Sequence, residues 1–219
     1  MRFDVITLFP EICAAYLGES ILKRAQEKHL LSFFMHNPRD YTKDAHRRVD
    51  GRAYGGGPGM VIRADAIVAI IASALKSKKF KSLKETKIIL FSAGGKQFNA
   101  KMAAAWAKKC DRMIMIAGRY EGVDERIKKI YKMKEISVGP YVLTGGELPA
   151  LVVIDAVSRH VPGVLGKHES LEERRLGVGV PVYTRPEVLV WKKKKYRVPP
   201  VLLSGDHRKI EEWRKRKKK

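Results

Sequence analysis

Cysteine is scarce: Cys13 and Cys110 are the only two in 219 residues. Two thiols alone make neither a disulfide framework nor a zinc site, so both read as small core residues. No apolar run reaches the ~18–20 residues of a membrane-spanning helix. The opening stretch, 1–10, has an acid (Asp4) inside its apolar run and lacks the plan of a secretory signal peptide. These absences point to a cytoplasmic protein with no membrane span. No internal repeat is visible. Acidic side chains are in deficit too: 23 Asp and Glu face 45 Lys and Arg, for a formal net charge of +22. A field of that sign suits a polyanion, either nucleic acid or an anionic surface. The plainer reading is a solubilising basic surface.

What is present is a folded chain. Hydrophobic residues make up 45%, enough for one domain of usual size or one plus a small appendage. Apolar runs predict strands over 3–8, 30–35, 87–92, 112–117 and 136–138. Helical spacing covers 11–16, 20–27, 64–75, 99–109 and 123–131, and a further helix starts near Pro149. Strand and helix alternate, so the first three-quarters reads as α/β with a mostly parallel sheet. The lysines of 76–84 read as a solvated linker loop. Beyond Pro162-Gly163 the pattern weakens. Residues 180–219 read as a small basic appendage ending in a helix that frays into lysines.

Glycine clusters mark the candidate site. Tyr54-Gly55-Gly56-Gly57-Pro58-Gly59-Met60 is not followed by Gly-Lys-Ser/Thr, which excludes a Walker loop. It is either a tight turn or a backbone contact for a phosphate or base. Glycine loops also follow strands near Gly94-Gly95, at Gly118 and at Gly139. Ligands of parallel sheets sit beyond the carboxyl ends of strands, so these three loops are expected to converge on one pocket. The 135–161 stretch stands out: a short strand, a loop with Gly139, Gly145 and Gly146, then a helix whose first turn offers free N–H groups. One turn apart on that helix lie Asp155 and Arg159, a spacing that by itself reads as an i,i+4 ion pair.

Several blocks together are more specific. They are 6–10 (Ile-Thr-Leu-Phe-Pro), 54–60, 118–126 (Gly-Arg-Tyr-Glu-Gly-Val-Asp-Glu-Arg), 141–149 (Tyr-Val-Leu-Thr-Gly-Gly-Glu-Leu-Pro), 154–159, 162–166, 183–186 and 201–207. In these blocks, which span nearly the whole chain in order, the sequence resembles the bacterial tRNA (guanine-N1)-methyltransferase family TrmD. The resemblance implies a SPOUT-type α/β domain with a trefoil knot, a rare exception to the unknotted rule. It implies a domain over 1–162, an interdomain linker over 163–180 and a short basic tRNA-binding region over 181–219, a shortened form of the family's helical C-terminal domain. It also implies a homodimer with the active site at the subunit interface, S-adenosylmethionine as cofactor and tRNA as substrate. The implied reaction is methylation of N1 of guanine37, 3′ to the anticodon.

By the same resemblance the cofactor pocket is lined by Phe91, Gly118, Tyr120 and Glu121, and by Ser137, Val138, Gly139 and Pro140. Tyr141, Val142, Leu143, Gly145, Gly146 and Pro149 complete it. For tRNA the candidates are Asp50, Tyr54, Gly59, Ser170, Arg185, Lys192 and Lys194. Chemistry dictates the rest. Guanine N1 carries a proton at neutral pH, so methylation needs a base beside N1 and a cation near O6. Arg159 is the implied cation. The family places an aspartate in the linker, but the positions here hold Arg174 or Leu171, depending on the direction of counting. The candidate bases are therefore Glu173, then Glu172, with Asp50 or Glu121 as alternatives. Where the family has an aspartate near the cofactor this chain has Pro140, and no metal site is expected; Mg is a possibility the sequence does not support. A tRNA-binding protein of the same fold with weak or absent catalysis, or a related RNA methyltransferase with another target, is the alternative reading.

Overall fold

The computed structural model describes residues 1–76, 85–165 and 179–217. The chain divides into two compact units, Met1–Leu165 and Gly166–Lys219.

The first unit is built on five parallel strands: β1 (Arg2–Ile6), β2 (Ser32–His36), β5 (Glu85–Gln97), β6 (Cys110–Ile116) and β7 (Lys134–Ser137). Their order across the sheet is β2-β1-β6-β5-β7. β1 and β6 are buried on both faces, hence the continuous apolar run Met113–Ile116 in β6, while β1 buries Arg2 and Asp4 among its apolar residues. Alternate residues feed two cores. Phe3, Val5, Met113, Met115 and Ile89 pack with helices α1 (Pro10–Leu17), α2 (Ser20–Glu27), α4 (Ala100–Lys109) and α6 (Glu147–Ser158). Ile88, Leu90, Ile114 and Ile116 pack with α3 (Ala64–Lys76) and α5 (Arg126–Ile130) on the other face. The result is a three-layer α/β unit, as the alternation of elements predicts.

Local signals set the boundaries. Asn99 caps α4, its side chain accepting the Met102 N–H at 3.0 Å. Pro10 sits in the first turn of α1, where its missing N–H costs nothing. Two expectations are corrected. β5 does not stop at 92 but runs on to Gln97, shifting register against β7 between Phe91 and Lys96. The expected helix over 123–131 shortens to α5, because Val123 bridges Ile62 and Asp124 donates its N–H to the Ile62 carbonyl.

One charged cluster interrupts the second core. Asp4, fully buried, takes hydrogen bonds from Arg2 and Arg112 and pairs with His36 at 2.8 Å. Burial alone would raise its pKa. The hydrogen bonds from His36, Arg2 and Arg112 outweigh that and hold the carboxyl far below the usual range.

The second unit contains a hairpin, β8 (Val188–Trp191) and β9 (Lys194–Arg197), and helices α7 (Pro200–Leu203) and α8 (His207–Arg216). Asp206 caps α8 by accepting the Lys209 N–H. Tyr183 packs on Trp213 with ring centroids 6.3 Å apart. Sequence patterning gave no strand here.

Candidate active site

A cavity of about 290 Å³ opens at the carboxyl ends of β5, β6 and β7. Its walls are the end of β5's first half (90–93), the loop after β6 (118–123), β7 with its following loop (135–146), and Pro149 in the first turn of α6. Of the residues named for the cofactor, every one except Pro140 lines this cavity. Pro140 is exposed, at the start of the loop that runs into α6. The Gly118 and Gly139 loops meet at the cavity, as expected. Gly94-Gly95 does not reach it. A Cβ on Gly95 would lie 2.6 Å from the Ile136 backbone nitrogen, so the glycine there serves a close strand crossing.

Close backbone approach also shapes the loop. The Gly146 N–H donates to the Gly118 carbonyl at 2.9 Å. A Cβ on Gly146 would stand 2.5 Å from the Ala117 Cα, a distance no side chain tolerates against backbone. Ser137 locks the other end: its hydroxyl donates to the Gly139 carbonyl and accepts the Gly139 N–H. Tyr120 holds φ at +58°, a conformation uncommon for a non-glycine residue that often marks functional sites.

A buried carboxylate joins these pieces. Glu147, 2% exposed, accepts from Thr7 Oγ1 at 2.7 Å and from Arg119 Nε at 3.0 Å. Arg119 also donates to the Thr144 carbonyl and lies over the Phe9 ring, 4.6 Å from its centroid. The end of β1, the loop after β6 and the loop before α6 are thereby fixed to one another. Sequence reasoning did not single out Thr7, Arg119 or Glu147. All three lie inside the matching blocks, but only burial reveals their role.

The wall carries charge of both signs. Lys128 bridges Glu125 and Glu135, each at 2.7 Å. Desolvation lowers its pKa, but the two carboxylates more than compensate and raise it. Glu121 adds a third carboxylate to the lining. It also links the cavity to the glycine turn: its N–H donates to the Met60 carbonyl, and a Cβ on Gly59 (φ +87°) would collide with its side chain. β3 (Asp50–Gly51) and β4 (Val61–Ile62) pair antiparallel at the base of that turn. Asp50 and Gly59 therefore belong to a hairpin adjoining the cavity, and Tyr54 at its tip is fully exposed.

Arg159 directly follows α6 and is half-buried, its N–H donating to the Asp155 carbonyl. The Asp155 carboxylate accepts from Tyr16 Oη at 2.7 Å, which joins α6 to α1. That bond, then burial and the negative charge of Asp155, raise the Tyr16 pKa. Glu172, Glu173 and Ser170 lie outside the described residues. Arg185, Lys192 and Lys194 are exposed in the second unit. Among the described residues no three His, Cys, Asp or Glu side chains gather to hold a metal ion. No helix among them is long and apolar enough to cross a membrane.

A cavity enclosed by loops at the carboxyl ends of parallel strands is where α/β proteins of this class bind ligands. The chain belongs to the family described as tRNA (Guanine-1)-methyltransferase TrmD, whose model matches residues 1–219. It is 45% identical to a tRNA (guanine-N(1)-)-methyltransferase of Dictyoglomus turgidum, over 99% of this chain and 84% of that one. A protein of the same name from Thermomicrobium roseum is 48% identical, over 98% and 78%. One from Clostridioides difficile is 43% identical, over 98% and 91%.

Proposed function

We infer that this chain is a tRNA (guanine-N1)-methyltransferase that takes its methyl group from S-adenosylmethionine and delivers it to N1 of the guanosine 3′ to the anticodon. Family membership supports the activity. The observation that carries the site is the meeting of the 118–123 and 137–146 loops around one cavity. The cavity suits the cofactor. Phe91, Val138, Leu143 and Pro149 offer apolar contact for an adenine ring. Gly139, Gly145 and Gly146 let the Tyr141 ring, the Arg119 side chain and the Ala117 backbone pack where a Cβ would collide, which shapes the cavity wall. Glu121 suits a ligand bearing a sulfonium and an ammonium.

When bound, S-adenosylmethionine supplies a methyl group activated by its sulfonium. The chain supplies the rest. The 137–146 backbone and the Tyr141 and Leu143 side chains orient the donor. The Glu173 carboxylate, or failing it Glu172, would take the N1 proton, so that the former N–H electron pair on N1 receives the methyl group while the S–CH3 bond breaks and the sulfonium leaves as a neutral thioether. The Arg159 guanidinium balances the negative charge that builds on O6. A positioned base contributes ~10²–10⁴ in rate, and holding donor and acceptor together contributes more. The target base must leave its stack to enter, and Asp50, Tyr54 and Gly59, on the hairpin next to the cavity, with Ser170, are the residues proposed to receive it. Arg185, Lys192 and Lys194 are proposed to hold the tRNA backbone.

The same reading includes a trefoil knot whose last pass is the 135–161 stretch, as family membership supports. It includes a cytoplasmic homodimer. Ile12 and Tyr16 on α1, with Leu148 and Val152 on α6, are exposed at i,i+4 spacing on two helices joined through Tyr16 and Asp155. Glu173→Gln and Glu172→Gln test the chemistry. At least one should abolish methyl transfer while tRNA binding stays intact. Full turnover in the double variant would reject both as the base. Tight tRNA binding by a wild type that transfers no methyl would leave only a binding protein.

A further inference from the structure

The hairpin of the second unit presents an aromatic face among cations. Leu189 pairs with Tyr196, and Trp191 with Lys194. Paired residues of antiparallel strands share a face, so these four lie together. None is covered: Trp191 is 64% exposed, Leu189 58% and Tyr196 47%. The Lys194 ammonium sits 5.6 Å from the Tyr196 ring centroid. The connecting turn is Lys192-Lys193, with φ of +46° and +62°, at positions where such turns favour Asn and Gly. Two lysines thus accept a strained backbone at the tip, and Lys195 and Arg197 occupy the opposite face.

We propose that this face is a stacking platform for unpaired nucleotides of the tRNA. Trp191 and Tyr196 take base faces, and Lys192 and Lys193 at the tip, with Lys194 on the same face, take the flanking phosphates. The proposal rests on the tRNA reading above. A two-stranded ribbon gains little stability from an aromatic left in water, so its exposed rings call for an external partner. Base stacking on aromatics, flanked by cations that follow the backbone, is how single strands are held without sequence preference. A protein partner fits less well, since charged residues are depleted at the centres of protein interfaces and four consecutive lysines, 192–195, lie here.

The test uses the full chain with two RNAs of equal phosphate number, an anticodon stem-loop and a blunt duplex, titrated across a salt series. Trp191→Ala should weaken the stem-loop by about five- to a hundredfold, the range for one stacked base. It should leave duplex affinity and the salt slope unchanged, and Trp191→Phe should restore most of the loss. Lys193→Ala should instead make the slope shallower by about 0.7–0.9. Unchanged stem-loop affinity in Trp191→Ala overturns the proposal, as does an equal loss on both RNAs. So does an altered oligomeric state with RNA affinity intact, which would mark a protein surface. Wild-type protein that binds neither RNA overturns the tRNA reading itself.

Discussion

Thr7 and Glu147, 140 positions apart, share a 2.7 Å hydrogen bond in a buried setting. Through the other carboxylate oxygen Arg119 is held at 3.0 Å. Glu147→Gln keeps the size but weakens the pairing with Arg119. The expected loss of stability is about 2–3 kcal/mol, as for a hydrogen bond to a charged group. Donor affinity should fall as well, because Arg119 then holds the Thr144 carbonyl less firmly. Chemical denaturation and calorimetric titration with S-adenosylmethionine read the two effects. Unchanged values in both would remove Glu147 from the account.

Gly146→Ala should be more damaging than its size suggests. The new methyl meets the Ala117 backbone at 2.5 Å, and backbone must move. Overpacking of this kind costs about 1–3 kcal/mol, and here the displaced backbone is the cavity wall. Gly51→Ala, where a Cβ meets nothing within 4 Å, is the control for stability. Calorimetric titration should show donor binding lost in the first variant and kept in the second.

Asp4 is the fully buried carboxylate whose pKa the fold depresses, and it contributes to stability against acid. Its folded pKa lies well below its unfolded value of ~3.9. A depressed carboxyl contributes stability that is fully present above the unfolded value and lost as pH falls below it. Wild-type stability should therefore drop as pH falls below ~4. Asp4→Asn should lack that component and be weaker at neutral pH by about 3–5 kcal/mol, the cost of leaving buried cations uncompensated. Denaturant titrations across pH distinguish the two curves.

The exposed face shared by α1 and α6 predicts an oligomer. Val152→Glu places a charge amid Ile12, Tyr16 and Leu148, each of which is exposed. Sedimentation should show a dimer for the wild type and a monomer for the variant, with methyl transfer falling in parallel. A wild-type monomer with full activity would count against a shared active site.

Much of the sheet was legible because buried parallel strands are continuous apolar runs, as in Met113–Ile116. The cavity loops were legible because backbone approach demands glycine, as at Gly146. Other features were hidden for physical reasons. β5 continues through Ser92-Ala93-Gly94-Gly95, a stretch that reads as a loop until β7 lies against it. β8 is apolar throughout (Val-Leu-Val-Trp), β9 is almost wholly basic (Lys-Lys-Tyr-Arg), and neither buries a face, so period-two patterning never signals them. Glu147 looks like a surface acid at a helix start, and only tertiary contact with Thr7 and Arg119 shows otherwise. The bond from Tyr16 to the Asp155 carboxylate joins residues 139 positions apart, which no local spacing signals.

The most direct test is to incubate the wild-type chain with unmodified tRNA and methyl-labelled S-adenosylmethionine, then map the labelled nucleoside. The account predicts 1-methylguanosine immediately 3′ to the anticodon, and no label when that guanosine is replaced by adenosine. Label at another nucleotide, or none with the natural tRNA, would contradict it.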